Sequence, residues 1–173
     1  MAQPVLADEG DSTSVALTDG GIVQLRPISP ADACRLVSFH LALSDESRYF
    51  RFFSPHPRLS DAEVERFTHV DTIDRVALVA VTGDEIIAVG RFDRRPGADD
   101  AEVAFVVADG HHRRGIASAL LAHLAAAARE RGLTRLTAEV LPNNRAMLGV
   151  FAASGLRRRT SFVDGVAHVE MAL

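Results

Sequence analysis

The stretch from Ala101 to Arg131, AEVAFVVADGHHRRGIASALLAHLAAAARER, constrains this chain most. Val103 to Ala108 is an apolar run rich in β-branched residues and reads as a buried strand. Asp109 to Arg113 form a polar break. The residues beyond it place Ile116, Leu120, Leu124 and Ala127 on one stripe, the spacing of a long amphipathic helix. Gly115 falls in the first turn of that helix, where the lack of a side chain leaves room for a ligand. A strand that turns tightly into a helix gathers unpartnered N–H groups at the positive end of the helix dipole. Arg113 and Arg114 add full charges there. Gly and Arg are common in any such connection, so the glycine alone marks only a turn. The ordered run His112-Arg113-Arg114-Gly115-Ile116-Ala117 after a Val-rich strand favours a phosphate-binding turn. It has neither the Gly-Lys-Ser/Thr of a nucleotide P-loop nor the three glycines of a dinucleotide fingerprint.

Met1 to Gly20 is small, polar and acidic and reads as a flexible tail, which leaves residues 21–173 as one domain. Ile22–Arg26 alternates like a strand that Pro27 ends. Ser29 and Pro30 open a helix to about Leu43 that buries Ala33, Leu36, Val37 and Leu41, with Cys34 as an inert small residue near that face. Ser44 or Asp45 caps a short helix carrying Tyr49, Phe50, Phe52 and Phe53, most of them read as core. Ser60 to Glu63 form a capping box for a helix from Asp61 to about Thr68. Arg75–Val81 and Glu85–Phe92 flank the hairpin signal Gly83-Asp84, and Ala101–Ala108 completes a meander. Gly132 stops the long helix. Leu133–Leu141 reads as a strand, Asn143 or Asn144 caps a helix to Ser154, and Leu156–Phe162 with Val166–Leu173 make a final hairpin.

Composition removes several function classes. With 173 residues, 47% of them hydrophobic, the chain can build a proper core. A net charge of −4 argues against indiscriminate binding to nucleic acid or to anionic membranes, and no apolar run is long enough to span a bilayer. The N-terminal residues lack the charged start and apolar core of a signal peptide, and the one cysteine, Cys34, fits a reducing cytoplasm. Cys34 as a nucleophile is disfavoured, because it lies mid-helix on an apolar face. His56, His69, His111 and His112 match no metal-site spacing, so no metal is expected. Arg157-Arg158-Arg159 reads as a solvated strand start or as a dock for an acidic protein partner. All 19 basic residues are arginine, so the chain has no lysine side chain of its own to modify.

Glu102 begins the Val-rich strand and shares a face with Ala104 and Val106. By spacing it is equally a general base beside a bound ligand or a solvated residue near Asp99 and Asp100.

The run from His112 to Ala117 resembles the acyl-CoA signature of the GNAT N-acetyltransferase superfamily, Gln/Arg-x-x-Gly-x-Gly/Ala. Gly115 and Ala117 match it, and His112 stands where the family has Gln or Arg. The resemblance extends from about Gly21 to the C-terminus. It implies the α/β (α+β) GNAT fold, a mixed, mostly antiparallel sheet flanked by helices. It implies acetyl-CoA as cosubstrate, its diphosphate held by His112, Arg113, Arg114, Gly115, Ile116 and Ala117. Backbone groups near Phe105, Val106 and Val107 would take the pantetheine and the oxyanion where the strand splays from its neighbour. Asn144, also readable as a plain helix cap, and Met147 would contact the cosubstrate, and Glu102 becomes the base. Many members carry a Tyr acid where Phe151 stands here, so that role is vacant.

Three further stretches, GGIVQLRPISPADACRLVSFHLALSDESRYFRFFSP, EVAFVV and AEVLPNNRAML, resemble the bacterial Pat-type protein lysine acetyltransferases. That narrower resemblance implies direct transfer, in a ternary complex, to a lysine of an acyl-CoA synthetase such as acetyl-CoA synthetase. It also implies a catalytic domain fused in many members to a larger regulated protein. Arg48 and Arg51 would face the protein substrate, and no nucleic acid or membrane partner is expected. The alternatives are acetylation of a small amine and a non-catalytic module that senses acyl-CoA.

Overall fold

The computed structural model describes residues 11–173. In chain order the elements are β1 (Thr13–Ala16), β2 (Ile22–Pro27), α1 (Ala33–Ala42), α2 (Asp45–Phe52), α3 (Asp61–Thr68), β3 (Arg75–Thr82), β4 (Glu85–Arg94), β5 (Asp100–Val107), α4 (Ile116–Glu130), β6 (Arg135–Val140), α5 (Arg145–Ala153), β7 (Arg158–Val163) and β8 (Val166–Ala172). The strands form one sheet in the order β1-β2-β3-β4-β5-β6-β8-β7. Every neighbouring pair is antiparallel except β5 and β6, which run parallel and are linked through α4.

Side-chain pattern explains the layers. Val76 to Val81 is an unbroken apolar run because β3 is covered on both faces. On one face Leu120, Leu121 and Leu124 of α4 pack with Leu78, Phe92 and Val103. On the other, Leu36, Phe39 and Leu43 pack with Ala77, Val79 and Ile86. Helices α1 to α3 cover only the β2–β5 half. Beyond β5, strands β6 and β8 alternate between buried and open residues, and β7 is exposed along its whole length. One face of the β6-β8-β7 half therefore carries no helix.

Four expectations are corrected. Thr13–Ala16 is not tail: it pairs with β2 at the sheet edge, and Leu17 after it is buried. The rest of the expected tail, residues 1–10, lies outside the described residues. Leu41 is 52% exposed, because the buried stripe of α1 runs through Leu36, Phe39, His40 and on to Leu43. Cys34 is exposed rather than part of the core. The helix expected from Ser29 opens with a separate 3₁₀ turn, Pro30–Asp32. The Asp32 carboxylate accepts two hydrogen bonds from Arg26 at 2.7 Å each and one from the Ser29 amide at 3.0 Å. Burial pushes the Asp32 carboxyl up, but the bonds from Arg26 and Ser29 outweigh it and hold it below the ordinary value. Among the described residues no helix is long and apolar enough to cross a membrane.

Candidate active site

β5 has one paired edge and one largely open edge. It matches β4 over seven residues, from Ala101 opposite Arg94 to Val107 opposite Ala88. It matches β6 over three only, ending at Glu102 opposite Thr137. Beyond that point Val103–Val107 and Ala138–Val140 pair no further with each other. The Ala108 amide donates to the Ile87 carbonyl at 2.8 Å. Alternation along an antiparallel ladder then directs the backbone groups of Val103, Phe105 and Val107 away from β4; the Val103 amide closes the ladder with β6, and the groups of Phe105 and Val107 face the gap. Val106 lines the cavity by its side chain, since its backbone groups face β4. A residue on β4 keeps this geometry: a Cβ on Gly90 would lie 2.9 Å from the Phe105 ring and 3.2 Å from Leu120 Cβ.

The open edge leads to the turn before α4. Arg113 (φ 59°) and Gly115 (φ 85°) are left-handed on either side of Arg114. Successive φ angles of opposite sign turn neighbouring N–H groups to one side, an anion-binding concavity. The first intrahelical bond, from the Ala119 amide to Gly115, leaves the amides of Ile116, Ala117 and Ser118 without a helical acceptor. The structure brings His112, Arg113, Gly115, Ile116 and Ala117 to one cavity of about 590 Å³. Phe105, Val106, Val107, Asn144 and Met147 line the same cavity. His112 ties the turn to β5, its Nε2 lying 2.9 Å from the Val107 carbonyl. Arg114 does not line the cavity. Its guanidinium donates to Asp19 at 2.6 Å and lies 2.6 Å from His111 Nδ1. Its carbonyl accepts from the Thr18 amide at 3.2 Å. The segment expected to be tail thus braces the turn from behind.

At the other end of the gap lies Glu102. Glu102 is exposed, yet partly enclosed, with Arg51 of α2, Asp93 of β4 and Glu139 of β6 close enough to act on its charge. That enclosure raises its pKa above the ordinary carboxylate value; Glu139 and Asp93 add to the rise and Arg51 opposes it. Between the parting strands a small recess of about 40 Å³ is lined by Arg51, Ala104, Phe105, Glu139 and Asn144 among others.

Arg51 of α2 also lines the large cavity, and among the described residues its guanidinium makes no hydrogen bond or ion pair. It lies 4.9 Å from the centre of the Phe52 ring. Burial, with Arg91 nearby, pushes it down to about 10, so it stays charged at neutral pH. Arg48, by contrast, is committed to Asp45 at 2.6 Å and does not line the cavity.

Sequence reasoning missed Asp109, the residue that fixes α2. Its carboxylate accepts from the Ser44 amide (2.9 Å), the Ser44 hydroxyl (2.6 Å) and the Ser47 hydroxyl (2.8 Å). Ser44 was legible as a cap, but the shared partner of Ser44 and Ser47 lies more than 60 residues away. Asn144 does cap α5, accepting from the Met147 amide at 3.2 Å, while also lining both cavities. Phe151 is buried against Phe105, ring centres 6.1 Å apart, and has no proton to give. Tyr49 is 45% exposed and Phe50 lines the cavity, so the α2 aromatics are not all core. Among the described residues no cluster of His, Cys, Asp or Glu could hold a metal.

Comparison with known proteins agrees with this geometry. Residues 40–156 match the model of the Acetyltransferase (GNAT) family. Acetyltransferase Pat of Mycolicibacterium smegmatis is 36% identical over 136 residues, covering 77% of this chain and 40% of that protein. Acetyltransferase PA5475 of Pseudomonas aeruginosa is 28% identical over 153 residues, covering 86% of this chain and 82% of that one. The solved GNAT domain of S. lividans PAT superposes with a TM-score of 0.89 at 52% identity, covering 94% of this chain and 97% of that one. A cAMP-binding acyltransferase from Mycobacterium smegmatis superposes with a TM-score of 0.66 at 30% identity, and this chain covers 47% of it. The chain thus spans 40% of M. smegmatis Pat and 47% of the solved cAMP-binding acyltransferase. With a parallel strand pair that parts midway, an amide-lined turn at its end and a family match over most of its length, this chain belongs to the GNAT family of acetyltransferases.

Proposed function

We propose that this chain is an acetyl-CoA-dependent protein lysine acetyltransferase of the cytoplasm, with Glu102 as general base and an acyl-CoA synthetase, such as acetyl-CoA synthetase, as acceptor. One observation carries this reading: β5 offers unpaired amides along one edge, and the carboxylate of Glu102 stands where that edge begins. The likeness to the GNAT domain of S. lividans PAT and to M. smegmatis Pat supports the acceptor class.

The residues divide the work. Backbone N–H groups of the 113–118 turn, with the Arg113 guanidinium, bind the diphosphate. The Phe105 amide and carbonyl and the Val107 amide pair along the pantetheine as an added strand would, the Val107 carbonyl being held by His112. Their amides also receive the carbonyl oxygen as it gains charge. A lysine ammonium, pKa about 10.4, is almost wholly protonated at neutral pH. Glu102, its pKa raised by enclosure, removes one proton directly or through a water, a step worth roughly 10²–10⁴ in rate. The freed amine forms the C–N bond as the C–S bond breaks, and the second proton on the nitrogen passes to water as the amide forms. With Phe151 at the position of an acid, the sulfur departs as thiolate. Glu102 then returns its proton to water through its exposed side. The bare sheet face beside Glu102 suits a protein surface better than an enclosed small amine.

Mass spectrometry of acetyl-CoA synthetase incubated with this chain and acetyl-CoA tests the reading. Because the chain has no lysine, every acetyl-lysine found belongs to the acceptor. Acetyl-lysine at a specific site is the expected result. Transfer to polyamines or aminoglycosides with none to protein would overturn it.

A further inference from the structure

β6 contributes a second carboxylate to the mouth of the gap. Thr137 stands opposite Glu102, and Glu139, two residues further on, shares the face of Thr137. Glu139 lines the recess between the strands together with Arg51 and Asn144. It is exposed, on the half of the sheet that no helix covers. Behind it on β8 stands its register partner His168, Nδ1 3.5 Å from the Glu139 carboxylate. Carbon–carbon packing does not explain an acid here, because its neighbours on this face are Thr137, His168 and Glu170.

We propose that Glu139 is a positioning residue: its carboxylate receives the acceptor lysine's ammonium at the mouth of the gap and aims it at Glu102. This rests on the reading of Glu102 as base in a lysine acetyltransferase. Glu139 lines the recess and Glu102 stands at the last β5–β6 pair, so two carboxylates flank the mouth of the gap and together draw in a cation. The other charges facing Glu102 do not substitute. Arg51 on α2 has the wrong sign. Asp93 on β4 is engaged by Arg91 at 2.8 Å, and Arg135 on β6 by Asp100 at 3.5 Å. His168 on β8 faces Glu139, not the gap.

The electrostatic half of the test needs no acceptor. In protein labelled with ¹³C at glutamate carboxyls, the Glu102 signal is identified by its loss in Glu102→Gln and followed through a pH titration. Replacing Glu139→Gln removes a like charge, so the Glu102 midpoint moves to lower pH, whereas Glu139→Asp keeps it near the wild-type position. In acetylation of acetyl-CoA synthetase, Glu139→Gln raises the acceptor KM roughly tenfold, the size of one lost charge-assisted contact. The KM for acetyl-CoA and kcat at alkaline pH stay close to wild type. An unmoved Glu102 midpoint in Glu139→Gln overturns the proposal, as does an unchanged acceptor KM. Wild-type protein that acetylates no synthetase while its Glu102 midpoint still responds to Glu139 removes the functional reading instead. The two failures are therefore distinct.

Discussion

Along one edge β5 is matched to β4 over seven residue pairs, and along the other it meets β6 over three. Composition is the same for both edges, since they belong to one strand. What differs is support. The β4 side is backed by Phe92, Leu120 and Leu124, all essentially without solvent contact, whereas the β6 side opens into the large cavity and the recess. A strand can leave backbone groups unpaired only where something else carries its stability and where water or a ligand satisfies them. One edge of β5 thus holds the fold, and the other is available for chemistry.

Glu102→Gln breaks the open edge with the largest effect. Turnover at neutral pH falls roughly 10²–10⁴-fold while affinity for coenzyme A stays within about twofold, measured by steady-state rates and calorimetry. Because the raised carboxyl works only when ionised, wild-type kcat climbs as pH rises through its pKa. The deficit narrows as the acceptor amine deprotonates by itself. Unchanged activity across the pH range would exclude Glu102 as base.

Asp32→Ala probes the fold away from the gap. Leaving Arg26 without its partner costs about 2–4 kcal/mol in urea unfolding, with kcat/KM for the remaining folded protein close to normal. The folded-state pKa of Asp32 lies below the unfolded value. Its contribution is therefore full at neutral pH and fades as pH falls through the folded pKa, so wild type and variant converge in acid.

Coenzyme A at about a hundred times its Kd adds about 2.7 kcal/mol to the folded state, a rise in Tm of roughly 5–10 °C by calorimetry. Without ligand, hydrogen exchange should be slow at Val106, whose amide faces β4, and fast at Phe105 and Val107, where coenzyme A then brings protection. Equal protection at all three without ligand would contradict the division of edges.

Gly90→Ala attacks the supporting edge from behind. The added methyl meets the Phe105 ring at 2.9 Å and displaces it, costing about 1–3 kcal/mol and several-fold in coenzyme A affinity. Asn144→Ala has the smallest effect, about 1 kcal/mol for a lost cap, with a modest rise in the acetyl-CoA KM.

Local pattern explains which features the sequence disclosed. The meander, the long helix and the glycine turn were legible because period and punctuation are properties of neighbouring residues. The parting of β5 from β6 was not legible in the residues, and only the family resemblance implied it. Val103 to Val107 reads as one uniform strand, and nothing in it says where pairing stops. The strand Thr13–Ala16 was hidden because TSVA is short and half polar; its place comes from pairing with β2 and from Thr18 and Asp19 meeting Arg114. The same distance hid the role of Arg114, whose charge looked free for phosphate. Cys34 looked apolar by company, yet it lies outside the stripe that Leu36, Phe39 and Leu43 define.

The three hydrogen bonds that Asp109 accepts from Ser44 and Ser47 tie two walls of the candidate site together. Asp109 opens the connection proposed to grip the nucleotide end of the donor, and the serines begin the helix that borders the same cavity. On the proposed reading, settling the donor stiffens the wall against which the second reactant is seated, and a compulsory order of arrival with the donor first is the expected kinetic pattern.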